Sequence, residues 1–220
     1  MREVQQLRRA VIITGGSVND YVVTKDYIKK DDFIICADRG IVHCINMNLS
    51  ADAWVGDFDS CSFEKYSGSD AAKNSEIIRL VPEKDDTDTE FACMYAQKNG
   101  FDEILLVGGC GTRADHTFSN VFLMEKMLDL SVRMTVVNEH NRIRLLRNSD
   151  LEITKSRFKY VSVIPISQSA EGVSNTGFKY PLSGETLYRC SSLGVSNELL
   201  GKYGKITVAK GTVLVIESVD

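Results

Sequence analysis

Short apolar runs that recur through the first 137 residues constrain this chain more than any other feature. They occupy residues 10–14, 33–37, 53–55, 77–80, 104–107 and 134–137. Each is continuous rather than alternating, which suits a strand buried on both faces of a parallel sheet. Helical patterns separate them, most clearly at 87–98 and 117–130. In the second of these, Phe118, Val121, Phe122, Glu125 and Leu128 carry the three-to-four spacing of a core-facing stripe with one polar interruption. Strands alternating with helices predict α/β layers.

The texture changes after residue 138. Short β-type segments at 142–146, 160–166, 205–209 and 212–217 are separated by Gly, Asn and Ser, with no convincing helix beyond one turn. Lys210-Gly211 between the last two reads as a tight hairpin turn. The expected organisation is therefore an α/β N-terminal domain with a mostly parallel sheet over residues 1–138. A small all-β, sandwich-like C-terminal domain follows over 139–220, with the boundary near 138–142.

Charge is divided along the same line. The chain has 220 residues and a formal net charge of −4. Residues 1–137 carry 22 acidic against 15 basic side chains, whereas residues 138–220 carry 8 against 11. An acidic balance argues against nucleic acid as a partner. No apolar run reaches the length of a membrane span, and the first residues lead into no signal-peptide core. The six Cys are scattered without a C-x-x-C pair, which favours free thiols in a reducing cytoplasm over zinc or disulfides.

Ligands of an open parallel sheet bind at the carboxyl ends of its strands. Five expected strand ends carry Gly15-Gly16-Ser17, Asp38-Arg39-Gly40, Gly56-Asp57-Phe58-Asp59-Ser60, Glu83-Lys84-Asp85-Asp86-Thr87-Asp88, and the segment from Gly108 to His116. If the chain stays extended across Phe58, Asp57 and Asp59 point the same way, and a divalent cation would relieve their repulsion. The alternative is a turn in which they cap the next helix. With no His or Cys cluster nearby, oxygen ligands favour Mg²⁺. Asp85 and Asp88 are candidates for the same ion, and Lys84 for a phosphate oxygen. In the segment from Gly108 to His116, glycines admit an anion close to the backbone and Arg113 offers a fork of donors. Asp115 could instead cap a helix starting at Thr117, and His116 could be an ordinary surface residue. Read alone, Gly172 to Leu182 and Gly194 to Glu198 are turns between strands.

Taken in order, these motifs resemble the thiamin pyrophosphokinase family: Gly56-Asp57-Phe58-Asp59-Ser60, Lys84-Asp85-Asp86-Thr87-Asp88, Gly108 to His116, and Gly172 to Leu182 with Ser196-Asn197-Glu198. The resemblance implies transfer of a pyrophosphoryl group from ATP to the thiamin hydroxyl, with release of AMP. It also implies a homodimer with thiamin bound near the subunit interface. Carried across, Asp57, Asp59 and Asp88 are the expected Mg²⁺ ligands and, with Arg113 and Asp115, the catalytic group. Lys84, Asp85, Thr87, Arg113 and Asp115 are the expected nucleotide contacts, and Ser196, Asn197 and Asp38 the expected substrate contacts. The family usually has Gly where Arg39 and Thr112 stand. An acidic cleft also suits cationic thiamin. Other readings of the same motifs are a pyrophosphokinase acting on a different alcohol such as a hydroxymethylpterin, a Mg²⁺-dependent phosphohydrolase, and a sensing module.

Overall fold

A computed structural model describes residues 7–58, 63–81 and 86–220. The chain divides into two compact units, up to Glu139 and from His140 to Asp220. The first unit runs β1 (Arg9–Ile13), α1 (Tyr21–Lys25), β2 (Phe33–Ala37), α2 (Gly40–Asn46), β3 (Ala53–Gly56), α3 (Phe63–Tyr66), β4 (Glu76–Arg79), α4 (Asp88–Lys98), β5 (Glu103–Val107), α5 (Ala114–Asp129) and β6 (Arg133–Val137). Its strands pair in the order β4-β3-β2-β1-β5-β6, every pair parallel. The apolar runs become strands because only a two-faced burial removes them from water. In β1, Ala10 to Ile13 are completely buried. Val11, Ile13, Ile34, Cys36 and Trp54 share one core with Ile41 and Cys44 of α2, while α4 packs on β1, β2 and β3 and buries the small Ala92, Cys93 and Ala96.

Two expectations for this unit are corrected. The run at 77–80 forms β4, but as an edge strand: Glu76, Ile77 and Arg79 are exposed, so it is not buried on both faces. Helix α5 starts at Ala114 rather than Thr117, and the stripe it turns inward shares only Val121 with the expected one. Asn120, Val121, Leu123, Met124 and Met127 are buried, whereas Phe118 and Phe122 stand exposed with their rings stacked on each other. The aromatic positions suggested the wrong face because the flexible Leu and Met side chains fill the space over the sheet.

A hydrogen-bond chain ties α1 and α2 to the turn after β1. Asn46 Nδ2 donates to the Tyr21 hydroxyl (2.8 Å), which meets His43 Nδ1 (2.9 Å), and His43 Nε2 reaches the Gly16 carbonyl (2.7 Å). A carbonyl only accepts, so the imidazole carries its proton on Nε2 and the Tyr21 hydroxyl donates to Nδ1.

The second unit runs β7 (Asn141–Arg147), β8 (Asp150–Thr154), β9 (Tyr160–Pro165), β10 (Ser169–Thr176), β11 (Glu185–Tyr188), β12 (Tyr203–Thr207) and β13 (Thr212–Ser218). Strands β7, β13 and β9 pair antiparallel, and β11-β10-β12-β8 form a second antiparallel sheet. Leu146, Val161, Val163, Val213 and Val215 of the first set pack on Ile153, Ala170, Val173, Leu187 and Ile206 of the second, which makes a sandwich. The fold class read from the sequence is thus borne out. The hairpin at Lys210-Gly211 is not: β12 and β13 belong to different sheets, and the chain crosses between them there, with Gly211 at φ +111°. Gly172 to Thr176 is likewise strand, part of β10 with an irregularity between Ala170 and Val173, rather than turn.

One buried carboxylate is clamped inside this unit. Glu217, 1% exposed, takes Arg142 through two contacts (2.7 and 2.5 Å) and Arg144 through a third (2.5 Å). Removing the anion strands two guanidiniums in a desolvated place. Glu217→Ala is therefore expected to destabilise the protein by about 3–5 kcal/mol, read as a lowered denaturation midpoint.

His43 gives a pH expectation. Burial pushes its pKa below the usual 6.5, with Arg39 acting in the same direction and the Gly16 carbonyl opposing. The unfolded chain then takes up the proton first as pH falls. The contribution to stability is present above 6.5 and is lost as pH drops through the folded-state value. An NMR titration should place the His43 midpoint below 6.5, and His43→Gln should flatten the stability loss between neutral and mildly acidic pH.

Candidate active site

The ends of β1, β2, β3 and β5, with the start of α4, enclose a cleft of about 620 Å³ in the first unit. Backbone forms much of its floor. Gly108, at φ +73°, turns the chain after β5, and a Cβ on Gly16 would lie 2.0 Å from the Gly108 carbonyl oxygen. Two glycine loops are thereby packed closer than side chains allow, which brings backbone to the wall of the cleft. Asn120 Nδ2 holds the second loop from beneath by donating to the Gly109 carbonyl at 2.8 Å.

Three carboxylates converge at one side. Ligand oxygens of Asp38, Asp57 and Asp88 all lie within 4.8 Å of one another, each residue half-buried. Like charges at that spacing repel by on the order of 3 kcal/mol per pair at an effective dielectric of 20, and a cation offsets this. The donor set is all oxygen, which fits a hard divalent ion such as Mg²⁺ and not a thiolate- or imidazole-seeking metal. Asp38 follows β2 at φ +46°, and Asp57 precedes Phe58 at φ +61°. The chain is therefore not extended at Phe58. Asp88 begins α4, whose N-cap is Thr87; the Thr87 hydroxyl accepts from Glu90 N at 3.2 Å.

The cleft carries positive charge as well. Arg113 and Arg39 line the cleft. Arg113 is paired with Asp115 at 2.5 and 3.2 Å, both side chains well exposed. Its guanidinium, with help from the His116 amide, brings the Asp115 carboxyl down to about 2. An exposed pair of this kind exchanges partners at small cost, so an incoming anion can take the Arg113 fork. Asp115 lies in the first turn of α5 and does not cap it; Arg113 occupies the N-cap position without a side-chain bond.

Of the residues singled out in the sequence, Asp38, Asp57, Thr87, Asp88 and Arg113 line this one cleft, and Asp115 is attached through Arg113. Asp59, Lys84 and Asp85 lie outside the described residues. Ser196 and Asn197 stand in the second unit. Ser196 is exposed at φ +58°, and its amide donates to Ser162 Oγ at 2.9 Å. Asn197 is buried with its amide committed: Oδ1 accepts from the amides of Tyr180 (3.0 Å) and Glu198 (2.9 Å), and Nδ2 donates to the Tyr180 carbonyl (2.6 Å). Sequence reasoning grouped Asp38 with substrate contacts. Its place beside Asp57 and Asp88 depends on the β2–β3 pairing and the left-handed backbone, and an isolated Asp-Arg-Gly signals neither.

Comparison with known proteins gives this geometry a context. The thiamin pyrophosphokinase catalytic-domain model matches residues 24–136, and the vitamin B1 binding-domain model of the same family matches 148–213. Thiamine pyrophosphokinase of Bacillus subtilis is 30% identical over 210 residues, which are 95% of this chain and 98% of that protein. A crystal structure of the Bacillus subtilis thiamine pyrophosphokinase superposes with a TM-score of 0.88 at 28% identity, covering 97% of this chain and 100% of the other. That of thiamin pyrophosphokinase from Geobacillus thermodenitrificans gives 0.85 at 30% identity, covering 96% and 98%. Matched by both domain models and by relatives over nearly its full length, the chain belongs to the thiamin pyrophosphokinase family.

Proposed function

We propose that the chain is a thiamin pyrophosphokinase that transfers the pyrophosphoryl group of ATP to the hydroxyl of thiamin, giving thiamin diphosphate and AMP. The observation that carries this reading is the convergence of Asp38, Asp57 and Asp88 in one cleft with a glycine-floored loop and Arg113. In this reading the first unit binds ATP, and the second, with Ser196 and Asn197, contributes to the thiamin site and to a homodimer. Asp38, Asp57 and Asp88, with Asp59, hold Mg²⁺; when bound, the ion neutralises phosphate charge on both sides of the transferred group. The glycine loop after β5 presents its amides to phosphate, and Arg113 releases Asp115 to grip a phosphoryl oxygen. Lys84, Asp85 and Thr87 complete the nucleotide contacts. Before the anion arrives, Asp115 holds the Arg113 fork in place. The rate then comes from holding the alcohol in line with the β-phosphorus.

A cytoplasmic setting accords with the free thiols of Cys36, Cys44, Cys93, Cys110 and Cys190. No helix among the described residues is long and apolar enough to cross a membrane.

Incubation with ATP, Mg²⁺ and thiamin should yield AMP and thiamin diphosphate in equal amounts. Phosphate or ADP without an acceptor would instead indicate a hydrolase, and AMP formed only with a hydroxymethylpterin would reassign the acceptor. Asp57→Asn should lower turnover by roughly 100-fold or more while the melting midpoint stays at or above that of the native protein. Native-like turnover in that variant would remove Asp57 from the metal site.

A further inference from the structure

We infer that Trp54 is a positioning residue for the carboxylate cluster, acting through the two left-handed residues that aim it. The inference rests on reading Asp38, Asp57 and Asp88 as a divalent-cation site. Asp38 at φ +46° is itself a member, and Phe58 at φ +61° immediately follows another. A positive φ is tolerated by Asp and is costly for Phe, so both persist only where their surroundings hold them.

The same side chain meets both. Trp54 lies in β3, beside β2, and is completely buried. Its indole Nε1–H donates to the Asp38 backbone carbonyl at 2.9 Å. Its ring meets Phe58 edge-on, centroids 4.9 Å apart at 78°, and stacks on Phe63 at 5.3 Å and 21°. From beyond these rings the Arg79 guanidinium covers Phe63 at 4.3 Å and Phe58 at 5.2 Å. Phe58 is thus held on two sides, and the Asp38 peptide is held by a donor anchored in the core. A strand residue enclosed in the core moves little, so one rigid ring sets the separation of two carboxylates from neighbouring strands. Trp54 does not line the cleft and touches no reacting group.

The test measures cation binding without turnover. Mn²⁺ serves as the probe, titrated into the nucleotide-free protein and followed by electron paramagnetic resonance. Replacing Trp54 by the isosteric 3-benzothienylalanine puts sulfur where the N–H was and leaves the packing nearly intact. Loss of this donor should weaken Mn²⁺ binding about fivefold, the worth of one buried hydrogen bond. Trp54→Phe should weaken it at least as much, whereas Ile104→Val, a core change near the start of β5 and three strands from β3, should leave it unchanged. If the isostere binds Mn²⁺ as the native protein does, Trp54 is core packing alone and the inference falls. If the native protein binds no Mn²⁺, the carboxylate reading falls with it.

Discussion

The convergence of Asp38, Asp57 and Asp88 is the constraint around which the strand ends of the first unit are arranged. Three acids bring their oxygens within 4.8 Å of one another, and the fold must supply what holds them there. It does so with parallel pairing that sets the ends of β2 and β3 side by side, with the first turn of α4, and with two backbone positions at positive φ. Such local cost concentrated at one strand-end site is the pattern of a binding centre completed by a ligand. The second unit shows the opposite economy of charge. There Glu217 is enclosed by Arg142 and Arg144, and the Asn197 amide is spent on the backbone around Tyr180.

The uneven charge along the chain takes on meaning in this light. The acidic surplus of residues 1–137 includes ordinary cap and ladder residues: Asp20 caps α1, and Asp32 pairs with Arg9. Asp38, Asp57 and Asp88 instead converge on one another at the strand ends. They gather where a glycine-floored cleft is also lined by Arg39 and Arg113.

Much of the fold was legible because burial and pattern coincide. The runs that became β1, β2, β3, β5 and β6 were found to within a residue or so, since a continuous apolar run has few other fates in a chain this size. Legibility failed where tertiary context chose between local options. Phe118 and Phe122 matched a helical stripe as well as Leu123 and Met127 did, and only the position of the sheet selects the latter. Lys210-Gly211 has hairpin composition, yet its flanking strands enter different sheets. At the site, Asp57, Asp88 and Arg113 announced themselves by motif. Asp38 as part of the cluster, His43 behind Gly16 and Trp54 behind Asp38 and Phe58 were invisible, because each depends on a backbone position that the sequence does not encode locally.

The most direct measurement is an anomalous diffraction experiment on crystals of the protein grown with Mn²⁺ and a non-reacting ATP analogue. The account expects a manganese peak bounded by the carboxylates of Asp38, Asp57 and Asp88, with the analogue's phosphates reaching from it toward the loop after β5 and Arg113. A manganese peak away from these three carboxylates, or phosphates bound with no metal among them, would contradict it.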